Sequence, residues 1–401
     1  MKPIIPYYIR QYDITIRFFI YFIGLNFLNR INSLTSWTVL IFFPLILWGR
    51  NCNSRFPKQM SIIKVMLKHY MIFAAMIIFT ALFSQYGFII PFTRFVSICL
   101  LAMAISLSFV ELDSREKVVM MLDGVIAVIF LVSIYLFVFF FNGYVFVLDL
   151  DEENWGNRNT AGNVLLLGFI ISVIRSNISG KKWIFWLLSS YFMLCLIFST
   201  SMKNMVVSAI LYFYYIFYLR NTIPYKVKLL SFVLLIFSVS SITFAFNEIL
   251  SSSQEMQMVV DRLLILSGNS DSATHYYDFY GQREELMKQT ITLFYNNPIL
   301  GTGLENSRLL YGTYSHNTYI EILAGGGIIL IIPFLFFLGE EFIYLIRKDN
   351  YSSYLLIIFL CIIYVSNANR IYDSPEHIFI LFTLALCKPY ARKISEIKLQ
   401  L

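Results

Sequence analysis

Twelve stretches of this chain approach or reach the length of apolar residue run, about 20, that a helix needs to cross a bilayer. They lie at 14–29, 34–49, 66–85, 91–110, 119–142, 160–175, 183–199, 203–219, 229–247, 318–345, 351–368 and 376–390. Hydrocarbon offers no partner to a backbone amide, so such runs must be helices or closed barrels, and their length selects helices. The fold expected is an all-α polytopic membrane protein of about 12 transmembrane helices. The first two runs are the weakest, because Arg17 sits inside one and the other is short. Of the 401 residues 58% are hydrophobic and only 14% charged, too few polar side chains to coat a water-facing surface. A soluble globular enzyme is excluded. The opening MKPIIPYYIRQYD lacks a short apolar run followed by small residues, so no cleavable signal is expected.

Charge placement gives an orientation, since cytoplasmic loops collect Lys and Arg. With both termini cytoplasmic, the inner segments hold 21 of the 31 Lys and Arg, Arg17 lies within a span, and nine are outer (Arg30, Arg94, Arg158, Lys203, Arg262, Arg283, Lys288, Arg308 and Arg370). The net charge of +7 is therefore a topology signal, and no nucleic acid is expected as a partner. Membrane lipids are. The five cysteines (Cys52, Cys99, Cys195, Cys361 and Cys387) form no CxxC and indicate neither a disulfide framework nor a zinc site.

Two outer segments stand apart. Asp149 to Asn159 is short and acidic, with Asp149 and Asp151 in DxD spacing; it reads as a metal or sugar site or simply as a solvated acidic loop. Glu248 to Asn317 is 70 residues long, with eight acidic and four basic side chains. A loop of that length is functional or disordered, and MVVDRLLIL, HYYDFY and ITLFYNNPIL carry enough apolar surface to argue for packing. The chain thus divides into a transmembrane bundle of spans 1–9 at 1–247, a large outer loop with short helices at 248–317 between spans 9 and 10, and spans 10–12 with a cytoplasmic tail at 318–401.

The polar residues able to carry chemistry gather at the outer rim. Thr318 with Glu321 three residues on, before an apolar run, is a capping-box pattern and starts a helix there. His316 then sits just outside a helix N-terminus, whose positive end disfavours protonation and attracts phosphate. A neutral imidazole at that mouth can take a proton from a hydroxyl; the alternative is a surface histidine beside polar Ser315 and Asn317. Upstream, GQREELMKQTITLFYNN reads as an amphipathic helix fit to lie in the membrane interface. Arg283 opens it, either as a guanidinium gripping a phosphate or as a solvated charge beside Glu284 and Glu285. Asn297-Pro298 ends that helix, and Gly301 and Gly303 allow a backbone turn or a close approach to a ligand.

Lys203 lies in FSTSMKNMVVSAI, a polar notch between two apolar runs. An intramembrane cation is a functional candidate because hydrocarbon makes it costly; a side chain reaching out to the interface is the competing account. NWGNRNTAGN adds Asn157, Arg158, Asn159 and Asn163 at the outer start of the sixth span. Asp123, Glu340 and Glu341 read as rim residues, His69 as an inner-side residue, and His275 and His377 have no supporting partners.

This order of features, N-x-N, then T-S-x-K, a large outer loop with an arginine-led helix, P-x-x-G-x-G, and H-N at the next helix start, resembles the O-antigen ligase and polymerase family over roughly residues 155–330. The most specific part is NPILGTG followed by SHNTYIEILAGGG. The resemblance implies an inverting, metal-independent glycosyltransferase without cofactors, in the bacterial plasma (inner) membrane, acting on oligosaccharides linked to undecaprenyl diphosphate. It implies that His316 serves the acceptor hydroxyl, that Arg283 helps hold the donor diphosphate, and that a second arginine follows the T-S of the notch. Here that position is Met202, and Lys203 one residue later or Arg158 would have to supply the charge. Asn159, Gly301, Gly303 and Asn317 would position the substrate.

The expected activity is a polymerase that joins lipid-linked repeat units into O-antigen or capsular polysaccharide. The alternatives are a ligase moving the glycan to lipid A core, which would share its chemistry, and a flippase for the same lipid. A flippase is disfavoured by the lack of internal repeats and by polar residues clustered at the outer rim rather than at mid-membrane. A chain-length regulator and a flippase are the protein partners the family leads one to expect.

Overall fold

The computed structural model describes residues 13–27, 33–57, 60–84, 86–141, 158–178, 182–199, 201–218, 277–313, 315–347, 353–367 and 371–391. Among the described residues every regular element is helical. The helices are α1 (Asp13–Asn26), α2 (Ser33–Trp48), α3 (Ser61–Ala81), α4 (Ile89–Phe109), α5 (Arg115–Phe141), α6 (Arg158–Ile178) and α7 (Lys182–Phe198). They continue with α8 (Met202–Tyr218), α9 (Tyr277–Asn296), α10 (Ser307–Tyr311), α11 (Thr318–Ile346), α12 (Ser353–Val365) and α13 (Pro375–Cys387). Each apolar run of the sequence has its helix except 229–247, which lies outside the described residues, as does the first part of the outer loop.

Among the described residues five helices are long and apolar enough to cross a membrane: Ser61–Ala81, Ile89–Phe109, Arg115–Leu136, Asn159–Ile178 and Thr318–Ile346. Val39–Asn51, Trp183–Leu196 and Ser353–Val365 are apolar but shorter. The chain is a helical membrane protein. Its exposed large side chains are those expected to face lipid, among them Phe42, Ile46, Phe83, Ile89, Phe336 and Tyr364.

Two helices form the axis. α13 buries every residue from His377 to Cys387, and it packs on α3, α6, α11 and α12. α6, almost wholly buried, packs on α5, α7, α8 and α13. α1 and α2 cover α4 and α5, while α9 lies along α11. The amphipathic reading of α9 is seen in its packing: Leu286, Thr290 and Leu293 are buried, and Glu284, Glu285 and Lys288 are exposed.

Arg17, Arg175 and Lys388, near the inner ends of their apolar runs, each have partners, as the cost of a lone charge in hydrocarbon favours. Arg17, in the first run, is buried and bonds Glu111 (Nη1 to Oε2, 2.6 Å; Nη2 to Oε1, 2.9 Å) and also Asp13, while Arg50 reaches Glu111 at 2.5 Å. Arg175 grips Asp123 through Nε and Nη2 at 2.6 and 3.0 Å and lies 4.4 Å over the Phe185 ring. Lys388 donates to the carbonyls of Tyr344 and Arg347 and so caps the C-terminus of α11. Each of these contacts joins segments that charge counting assigns to the same, inner side. Glu341 departs from expectation: it is fully buried in α11 rather than at the rim, because its side of the helix faces the bundle, whereas Glu340 meets His69 at 3.8 Å.

Candidate active site at the outer end of the bundle

The long helix α11 is broken at Gly327, whose φ of 59° and ψ of −156° are not helical. A break frees the amides of Ile328 and Ile329 and the carbonyls of Ala324 and Gly325, which would otherwise pair with one another. The NPILGTG segment takes up all four. Thr302 and Gly303 donate their amides to the carbonyls of Ala324 and Gly325 at 2.9 and 2.6 Å, and Ile328 and Ile329 donate theirs to Pro298 and Ile299 at 2.9 and 3.3 Å. The loop thus enters the helix as a spliced piece of backbone. A Cβ on Gly301 would stand 2.4 Å from the Gly325 carbonyl carbon, and one on Gly327 2.3 Å from the Ile299 oxygen. What comes close to Gly301 is therefore the chain itself.

The splice fixes the loop that precedes α11. Asn306 donates to the Ser84 hydroxyl at 2.8 Å and to the Gly87 carbonyl at 3.1 Å. Glu305, buried and held at φ 60°, accepts from the Tyr372 hydroxyl at 2.6 Å and pairs with Arg94 at 2.9 Å; Arg94 also bonds Asp373 at 3.1 Å. Sequence reasoning singled out none of Arg94, Glu305 and Asp373, which are far apart in the chain. With two carboxylates on one guanidinium, Arg94 is already neutralised and is poorly suited to hold a diphosphate.

His316 sits where this loop meets α11. The helix begins at Thr318 as expected, but its cap is Asn317, whose Oδ1 accepts from the amides of Tyr319 and Ile320 at 2.9 and 3.1 Å. The Glu321 carboxylate is spent elsewhere, accepting from the Ser307 hydroxyl at 2.9 Å and from the Ser315 amide. The pattern that marked the helix start was read one residue late for the cap because Thr318 Oγ1 instead accepts from the Ile371 amide at 3.1 Å. Pinned on both sides, half-buried His316 adopts φ 58°, a left-handed conformation that a histidine reaches only at a cost.

The polar notch joins the start of α6. Ser201 donates to Asn159 Oδ1 at 3.1 Å, and Asn204 donates to Asn163 Oδ1 at 3.0 Å. Gly162 lets these meet, since a Cβ there would lie 2.6 Å from Asn204 Nδ2 and 2.7 Å from Ser201 Cβ. Lys203, half-buried in the first turn of α8, is close enough for its charge to act on His377 at the start of α13. His377 thus does have partners, contrary to the reading from sequence: the charge of Lys203, and Ser374, whose hydroxyl is 2.7 Å from Nδ1. One comes from 174 positions away in the chain, which no local pattern shows.

These contacts bring four helix N-termini to one end of the bundle. α6 and α8 meet through Asn159 and Ser201, α6 packs on α13, and α11 joins the segment before α13 through Thr318 with Ser366 and Ile371. The positive ends of their dipoles add to the Lys203 charge, an arrangement suited to an anion. Arg158 begins α6 and Arg283 lies in the second turn of α9, which packs on α11; both side chains lie outside the described residues. So do Asn157 and the Asp149–Asp151 pair. Among the described residues no group of three or more His, Cys, Asp or Glu side chains is placed to hold a metal.

Residues 183–335, from α7 through the first part of α11, match the family model described as O-antigen ligase. That segment belongs to the O-antigen ligase and polymerase family. No curated protein matches the chain. The match takes in the notch, the outer loop, the splice and His316, while Arg158 and Asn159, the Arg94 pair with Asp373, and His377 lie beyond it. The family's members are glycosyltransferase-like enzymes that act on lipid-linked oligosaccharides.

Proposed function

We propose that this protein is an oligosaccharide repeat-unit polymerase, which transfers a growing glycan from undecaprenyl diphosphate to the terminal hydroxyl of an incoming lipid-linked unit at the outer face of the bacterial plasma membrane. The observation that carries this reading is the pinned, left-handed backbone of His316 at the start of α11, the end of the bundle that also carries Lys203 at the start of α8. Such strain persists only where its surroundings impose it, and it is concentrated at working sites.

Breaking the bond between the anomeric carbon and the diphosphate leaves negative charge on the departing phosphate. Preorganised positive charge at that point lowers the barrier. Lys203, the helix ends and, in the family's pattern, Arg283 supply it, with Arg158, the first residue of α6, as a further cation. Lys203 stands in for the arginine that Met202 replaces. His316, at the N-terminus of α11, accepts a hydrogen bond from the acceptor hydroxyl and takes its proton as the oxygen attacks the opposite face of the sugar, which inverts the anomeric centre. General base catalysis of this kind contributes roughly 10²- to 10⁴-fold. Asn317 sets the imidazole by capping the helix beside it, and Gly301 and Gly303 act through the splice that fixes the loop. The both-termini-inside topology and the division at 247/248 and 317/318 fit this reading, since they put the loop and His316 on the outer side.

A ligase is the second reading, favoured by the description of the matching family model. Purified protein supplied with lipid-linked repeat units, with and without lipid A core, separates them. A ladder of lipid-linked products without core supports the polymerase, and product only on core supports the ligase. His316→Ala should abolish either product. Full activity in that variant would overturn the transferase reading.

A further inference from the structure

His377 is a buried imidazole for which the transfer mechanism has no use. Its tautomer follows from its neighbours. The Ser374 hydroxyl has one proton and donates it to Glu376 Oε2 at 2.9 Å. Its oxygen, 2.7 Å from His377 Nδ1, must therefore accept, so Nδ1 carries the proton and Nε2 the lone pair. His377 is 1% exposed, and Nε2 has no hydrogen-bond partner among the described residues. A buried acceptor left empty is costly, and this one lies within the field of Lys203 at the end of the bundle where the diphosphate would sit.

Only a donor can fill it. A diphosphate diester at neutral pH has no O–H to give, and a polyprenyl tail has none either. The sugar bonded directly to the diphosphate carries several hydroxyls, or an acetamido N–H, within one ring of the phosphorus. We propose that His377 Nε2 accepts a hydrogen bond from a hydroxyl or acetamido N–H of that first sugar, which makes His377 a residue that selects the donor's glycan. The proposal rests on the lipid-diphosphate reading of the site. Under it, Lys203 binds what all such lipids share, and His377 binds what distinguishes a glycosylated lipid from a bare one.

The test is binding in detergent of two probes, the lipid-linked repeat unit extracted from the parent cells and undecaprenyl diphosphate without sugar. Wild-type protein should prefer the glycosylated lipid. His377→Phe, which keeps a flat ring and loses the acceptor, should weaken that probe about 10- to 100-fold and leave the bare lipid within about twofold. His377→Gln, whose amide oxygen still accepts, should recover most of the loss, and Lys203→Ala should weaken both probes alike. Equal weakening of both probes by His377→Phe, or of neither, overturns the proposal. Should the Phe variant not fold, Ser374→Ala releases Nδ1 and gives the same comparison: the preference should shrink, and an unchanged preference overturns it. Wild-type protein that binds neither probe would instead sink the reading of the site itself, as would a fully active His316→Ala.

Discussion

The amide of Gly303 donates to the carbonyl of Gly325 across 2.6 Å, and through that bond and its neighbours the outer loop supplies what the broken helix lacks. The two segments are one structural unit. Gly327→Ala should therefore be severe, because its φ of 59° excludes a Cβ and the Ile299 oxygen occupies the space. A loss of about 3 kcal/mol or more is expected, read as lost folded protein on size exclusion in detergent. Gly339→Ala, with nothing within 4 Å of its Cβ, is the control and should be neutral or slightly stabilising.

Asn317→Ala removes the cap of α11 and should cost about 1 kcal/mol in stability. The cap also fixes the residue next to His316, so glycan transfer should fall further than stability, by roughly 10- to 100-fold. Asn317→Asp keeps an accepting oxygen and should fold as well as the parent. Equal activity in the Ala variant would separate His316 from its cap.

Arg94→Met takes the guanidinium away from buried Glu305, which also accepts from the Tyr372 hydroxyl. Breaking a buried pair in this way costs about 3–5 kcal/mol. Adding Glu305→Gln removes one of the two carboxylates that Arg94 pairs and should restore part of the thermal stability, while the charge of Asp373 stays behind. A single variant as stable as the parent would show that Arg94 does not hold the loop.

Burial alone would raise the Glu111 carboxyl, but hydrogen bonds and charge from Arg17 and Arg50 outweigh it and hold it below the usual carboxylate range. A carboxyl depressed in the folded protein adds stability that is fully present above its unfolded value, about 4.3, and is lost as pH falls through its folded value. Melting temperature in detergent should hence drop below about pH 4.5, and Glu111→Gln should flatten that part of the profile. At neutral pH the same variant should cost roughly 2–4 kcal/mol, since buried Arg17 loses one of its two carboxylates and keeps Asp13 and the Leu47 carbonyl. A pH profile identical to the parent's would show that the pair contributes nothing.

Much of this molecule could be read from its residues in order. Apolar length placed eleven of the twelve runs on described helices, and the polar notch around Lys203 and the Asn159 to Asn163 stretch stood out because hydrocarbon surrounds them in sequence. They turned out to bond each other, Ser201 to Asn159 and Asn204 to Asn163. The glycines of NPILGTG were visible too, but their use was not. A turn near a ligand and a splice into a helix demand the same freedom of backbone, and only the position of Ala324 to Ile329 tells them apart. The pairings of Arg94, Glu305 and His377 could not be read from the sequence, where His377 stood without partners and Arg94 was one outer cation among nine. Each of the three is an ordinary residue locally, and its meaning is a pairing between side chains that folding brings together from distant parts of the chain.

The break in α11 also bears on how the protein is made. A helix interrupted at Gly327 would present four bare peptide groups if it entered lipid by itself, each at a penalty of several kcal/mol. Residues 298–303 leave the ribosome first and must wait near the membrane surface until the partner sequence emerges. Integration of this span is therefore contingent on a water-side loop already being in place, so that biogenesis itself would reject any copy whose outer loop is miswound.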